Sequence, residues 1–123
     1  MRYTTFILLW AALLLAGCTR DTTVREQREG YTIERVALPS GNAYLLVPEK
    51  KRERMPAVVV LHDHGAHFTI GKEKMVRPMS DEAAWIQEDA QAWKDKFYAG
   101  QFVGDSLARE GYVVLAVDAY GWG

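Results

Sequence analysis

Two short apolar runs, AVVVL at 57–61 and VVLAV at 113–117, limit the folds open to this chain. Each is unbroken, rich in β-branched residues and without a polar side chain to turn toward water. Strands that read this way are buried on both faces, the usual condition of central parallel strands. Parallel neighbours cannot be joined by a tight turn and need a longer crossover, most often helical. The segment between the two runs supplies one. Ile86, Ala90, Trp93 and Phe97 recur at three- and four-residue spacing, which predicts one face of a helix. Ser80 or Asp81 stands where a cap would start it. Around Gly100 the helix breaks or bends, Val103 and Leu107 continue the period to Glu110, and Gly111 reads as the carboxyl-terminal cap.

Upstream, YTIERVAL at 31–38 alternates as a strand should, SGN at 40–42 is a turn, and AYLLV at 43–47 is a second strand that stops at Pro48. The two predict an antiparallel hairpin, and EKKRERMP is the loop that follows. The order hairpin, strand, helix, strand predicts an α/β fold: an antiparallel hairpin followed by parallel strands with a crossover helix, beside a mostly parallel sheet. That sheet is expected to be incomplete, since one helical region cannot cover both its faces.

With 123 residues there is room for one small domain, and part of the length is not fold. MRYTTFILLWAALLLAGC places Arg2 ahead of an unbroken apolar run from Phe6 to Ala16. The run is too short to cross a bilayer as a helix and has the pattern of a secretory signal segment. Leu15, Ala16, Gly17 and Cys18 resemble the lipobox of bacterial lipoproteins. That resemblance implies that residues 1–17 are a signal peptide and that Cys18 is lipidated, so that acyl chains hold the protein at a membrane. Thr19, in place of an aspartate, implies the outer membrane, facing periplasm or surface. Cys18 is the only cysteine, which excludes an intramolecular disulfide and a cysteine metal cluster. Residues 18–30 are polar and aperiodic and read as a tether to a domain at 31–123.

Fifteen Lys and Arg against sixteen Asp and Glu leave a formal charge of -1, with no basic stripe for a nucleic-acid backbone. Lys50, Lys51, Arg52 and Arg54 are interrupted by Glu49 and Glu53 and read as a solvated loop. The letters GDSL at 104–107 resemble the motif that carries the nucleophile in one class of serine esterases. There the serine lies in the turn that ends a buried strand. Here DKFYAGQ precedes it with helical spacing, and Gly111 follows too closely for a turn and a fresh helix. Ser106 is therefore expected within the last turns of a helix, its hydroxyl bonded back to a carbonyl or facing water. His62, His64 and His67, with Asp63, offer nitrogen and oxygen ligands for a metal. Alternate residues leaving a strand point in opposite directions, however, so the rings need not converge, and His64 serves as well to brace the loop. Trp85, Trp93 and Trp122 read as packing residues.

VVVLHDHGAH, followed at a distance by LAREGYVVLAVDAYGWG, resembles the amino-terminal part of the α/β-hydrolase superfamily, and within it the dienelactone hydrolase and acetyl xylan esterase-like group. The resemblance spans residues 31–123. It implies that His64 and Gly65 carry a His-Gly element and that the loop His64, Gly65, Ala66, His67 borders an oxyanion hole, with the amide of Ala66 or His67 as donor. Asp118 and Gly121 then form the turn after the second strand. It also implies that strand 57–61 lies between strand 113–117 and a nucleophile strand. The family's G-x-S-x-G, and the acid and histidine that follow it in chain order, do not occur after the matched motifs. Ser40, Ser80 and Ser106 are misplaced, and all three histidines come too early. The expected function is thus a truncated, inactive fragment of a secreted serine hydrolase of carboxylic esters. Its full-length relatives would bind a small-molecule or carbohydrate ester or a lactone, with no cofactor. Two alternatives stand beside it: a small noncatalytic membrane-anchored lipoprotein with a binding or structural role, whose exposed sheet edge takes a partner or a second copy of the chain, or a His-loop metal-binding protein.

Overall fold

In the computed structural model, which describes residues 24–123, Tyr31–Leu38 (β2) and Gly41–Pro48 (β3) pair antiparallel from Tyr31 against Pro48 to Leu38 against Gly41. The signal segment, Cys18 and the start of the tether lie outside the described residues. Alternation along the hairpin puts Tyr31, Ile33, Tyr44 and Leu46 inside, each 1% exposed or less. The two apolar runs form β4 (Ala57–Leu61) and β5 (Val113–Val117), which pair in parallel from Ala57 against Val113 to Leu61 against Val117. A first strand, β1 (Arg25–Arg28), lies outside β2, and the sheet runs β1-β2-β3-β5-β4.

The sheet is mixed and open. Three of its pairings are antiparallel and only β4 with β5 is parallel, so the expectation of a mostly parallel sheet is corrected. Each parallel pair needs a crossover and the described residues contain one, between β4 and β5, whereas β3 meets β5 antiparallel. Residues 25–28, expected in the tether, are corrected to a strand. REQR has no apolar residue, and what seats it is the ladder to β2 together with the burial of Arg28.

The crossover holds a 3-10 turn (Lys72–Lys74), helix α1 (Ala84–Phe97) and helix α2 (Val103–Arg109). The helix does not start on Ser80 or Asp81: its N-cap is Ala83, with no side-chain cap. Asp81 is drawn away by the Arg35 guanidinium, at 2.9 and 3.1 Å, and the Ser80 amide donates to Glu26 at 2.8 Å. The break near Gly100 is real, with Ala99 and Gly100 both left-handed at φ 50 and 75. α2 packs against β3 and β5, and α1 against the 3-10 turn. Where α2 passes over residues 75–76, Gly104 donates to the Met75 carbonyl at 2.8 Å, and a Cβ there would stand 2.5 Å from Val76.

Beneath α2, Asp105 is 1% exposed. It accepts from the Arg77 amide at 2.8 Å, from the Arg28 guanidinium at 3.3 Å and from the Tyr31 hydroxyl. Arg28 also donates to the carbonyls of Arg77 and Pro78 at 2.8 and 2.7 Å and to Glu26 at 2.8 Å. Burial, then the Asp105 carboxylate, push the Tyr31 hydroxyl up to about 12. This network ties β1, β2, the crossover and α2 together.

On the other face of the sheet, Val59 and Leu61 are 60% and 69% exposed, whereas Val60 between them is 7% exposed. β4 has β5 on one side and, among the described residues, no strand on the other.

Candidate functional site

The parallel strands β4 and β5 end side by side, so the residues just beyond them are neighbours: His62 to His64 after β4, and Asp118 after β5. In open α/β sheets this carboxyl-terminal rim is where ligands are bound. His62 ties the two ends together. Its Nε2 accepts the Ala119 amide at 3.0 Å, which leaves Nδ1 to carry the proton toward the Asp63 carbonyl, also 3.0 Å away.

Asp63 turns the other way and accepts from the Trp93 indole at 3.0 Å and the Tyr98 hydroxyl at 2.6 Å, joining the loop to α1. Burial works against its charge, but those two donors and Lys74 outweigh it and hold the carboxyl below its ordinary value. Tyr98, by burial and by the same bond, is pushed up to about 12. The sign of the consequence is fixed. A carboxyl depressed in the folded state contributes stability that is complete above its unfolded pKa, about 3.9, and is lost as pH falls through the lower folded value. Asp63→Asn is thus expected to lower the urea midpoint at neutral pH, and the gap to the parent should close in acid. A gap independent of pH contradicts this.

Lys72, Glu73 and Lys74 are all buried, at 6%, 3% and 0% exposure. Lys72 donates to Asp118 at 2.8 Å and pairs with Glu73 at 2.7 Å. Desolvation opposes its charge, and the two carboxylates more than offset that, raising its pKa. Lys74 points under the histidine loop. Its Nζ donates to the carbonyls of Asp63 and His64 at 3.1 and 3.2 Å, and lies 4.5 Å from the centres of both the Trp93 and Trp122 rings. Asp118 also accepts the Lys72 amide at 2.6 Å. It sits so close to Gly71 that a Cβ would fall 2.2 Å from its Oδ1. Gly71→Ala should therefore cost about 1–3 kcal/mol by overpacking, read from chemical unfolding; an unchanged midpoint would mean the carboxylate can move aside.

The four residues expected along an oxyanion hole do form a tight turn, but its donors face inward. Gly65 and Ala66 are left-handed, at φ 52 and 51. The Ala66 amide donates to Nδ1 of His64 at 3.1 Å and the His67 amide to the His64 carbonyl at 3.3 Å. His64 thus braces the loop. His67 instead meets Asp89 of α1 at 2.7 Å, stacked on Trp93 with Thr69 beside both. The three histidines have separate partners, and among the described residues no three His, Cys, Asp or Glu are grouped to hold a metal ion.

Ser106 lies within α2, its hydroxyl donating to the Phe102 carbonyl at 3.2 Å. Trp93 and Trp122 pack around Lys74, whereas Trp85 is 54% exposed. A groove of about 540 Å³, lined by Glu26, Arg77, Pro78, Ser80, Glu82, Ala84 and Gln87, lies away from this rim. No helix among the described residues is long and apolar enough to cross a membrane. Comparison with protein families, with curated proteins and with solved structures finds no match to this chain.

Proposed function

We propose that residues 31–123 are the amino-terminal portion of a secreted serine hydrolase of carbohydrate esters or lactones, of the α/β-hydrolase superfamily, anchored to the outer membrane through Cys18. One observation carries this reading, the order of the sheet. β4 follows the hairpin in sequence yet lies outermost, beyond β5, and its free edge is where the resemblance puts a nucleophile strand. The His64–His67 turn then stands at the carboxyl end of β4, beside the place such a strand would end. In that setting it would border the oxyanion hole, and the Ala66 amide could serve a developing oxyanion only once released from Nδ1 of His64. The nucleophile, its acid and its base would come from residues beyond 123, because Ser106 is committed to a helix and each histidine to another partner.

The test is the DNA after codon 123. A continuing frame, or one restored by a single frameshift, should encode G-x-S-x-G within several tens of codons, then Asp or Glu, then His. A locus without that pattern overturns the proposal. Among the described residues the outer edge of β4 has no partner strand and no charge, which supports a second reading, a noncatalytic lipoprotein that pairs with its own copies. That reading requires a defined oligomer in sedimentation and fails with a monomer.

A further inference from the structure

Ala66 holds a left-handed backbone, φ 51, that glycine takes freely and a residue with a Cβ does not. Its neighbour Gly65 has the same sign, φ 52, so the pair forms a reverse turn of the mirror-image kind. Two bonds hold the turn, from the His67 amide to the His64 carbonyl at 3.3 Å and from the Ala66 amide to Nδ1 of His64 at 3.1 Å. An imidazole nitrogen accepts only while it carries no proton. His64 is exposed, and its ring is met edge-on by Phe68 and Trp122 at 5.2 and 5.3 Å.

The charged and titratable groups around it are otherwise engaged. Lys74, from the 3-10 turn, donates to the His64 carbonyl, and the Asp63 carboxylate accepts from Trp93 and Tyr98 and pairs with Lys74. His62 holds Ala119, and His67 pairs with Asp89 of α1. None of them hydrogen-bonds Nδ1 of His64, whose partner is the Ala66 amide.

We infer that the His64 ring is a proton-operated latch on the Ala66 amide. With the ring neutral the latch is closed, and the amide is spent on Nδ1. A proton taken from water onto Nδ1 replaces the acceptor with a donor, so donor faces donor and the bond is lost. The turn then keeps only the bond from the His67 amide to the His64 carbonyl, the left-handed Ala66 is held less firmly, and its amide becomes free for an anion. No covalent bond other than the N–H changes. Its meaning as regulation rests on the oxyanion reading of this loop; the latch itself does not.

The experiment is an amide and imidazole NMR titration of the ¹⁵N-labelled full chain from about pH 5 to 8, the range in which an imidazole ordinarily changes charge. The Ala66 amide proton should shift with the same midpoint as the His64 ring. Its protection from exchange, corrected for the intrinsic effect of pH, should fall about tenfold on the acid side, as expected for one hydrogen bond. In His64→Phe the Ala66 amide should be unprotected and indifferent to pH. The latch is overturned if the Ala66 amide ignores the His64 transition, or if it stays protected in His64→Phe. A locus lacking G-x-S-x-G would remove the hydrolase reading and leave these signals as they are, so the two failures are distinguishable.

Discussion

Asp105→Ala should destabilise the protein by about 3 kcal/mol, the lower end for breaking a buried ion pair, because Arg28 keeps Glu26 as a second carboxylate at 2.8 Å. Asp105 and Arg28 side chains are each 2% exposed, so water cannot replace the carboxylate. The same change strands the Arg77 amide and the Tyr31 hydroxyl, which also donate to it. With a domain stability of only about 5–15 kcal/mol in total, the variant should be largely unfolded in mild urea. Asp105→Asn keeps the shape and one acceptor but turns an NH2 toward donors, and should fall between. Replacing both partners, Arg28→Met with Asp105→Leu, should recover part of the loss, because a buried pair also carries its own desolvation cost. Recovery stays partial since Arg28 serves the Arg77 and Pro78 carbonyls as well. A double-mutant cycle in urea measures this; a loss under 1 kcal/mol for Asp105→Ala would mean the network contributes little.

Lys74→Met should cost about 3 kcal/mol, the lower end for breaking a buried pair, because its carboxylate partner Asp63 is 34% exposed and can be rehydrated. The damage should be concentrated in the histidine loop. Two loop carbonyls lose their donor, and the cation between Trp93 and Trp122 is gone. Amide exchange at residues 62–67 should therefore accelerate more than in β2 and β3, where the ladder is untouched. Uniform acceleration would show that Lys74 supports the whole fold and not the loop.

The backbone was far more legible than the charges. Strands 31–38, 57–61 and 113–117 follow from period-two alternation or from unbroken β-branched runs, and the structure places them at those residues. The crossover helices follow from Ala90 and its neighbours in the same way. Periodicity is a property of one segment, so one segment suffices to read it. The Arg28–Asp105 bond joins residues with no local relation, one in a polar stretch and one inside a motif that suggested something else. Lys72, Glu73 and Lys74 have the composition of a surface loop, and only Asp118, Asp63 and two indole rings arriving from elsewhere make burial possible. In the candidate site the turn at Gly65 was readable. The direction of the Ala66 amide was not, because a ring rotamer two residues away decides it.

The position of β5 has a further consequence, for the order of assembly. Among the described strands it is made after the other four, yet it sits between β3 and β4, with Ala43 opposite Val117 and Val58 opposite Val114. Until residue 117 leaves the ribosome the meander β1–β3 and the lone strand β4 have no ladder in common. Such distant pairing slows folding, since the long loop must close before any contact rewards it. A nascent chain stopped anywhere short of 113 would expose two unpaired inner edges at once, the state most open to capture by another chain or by a chaperone.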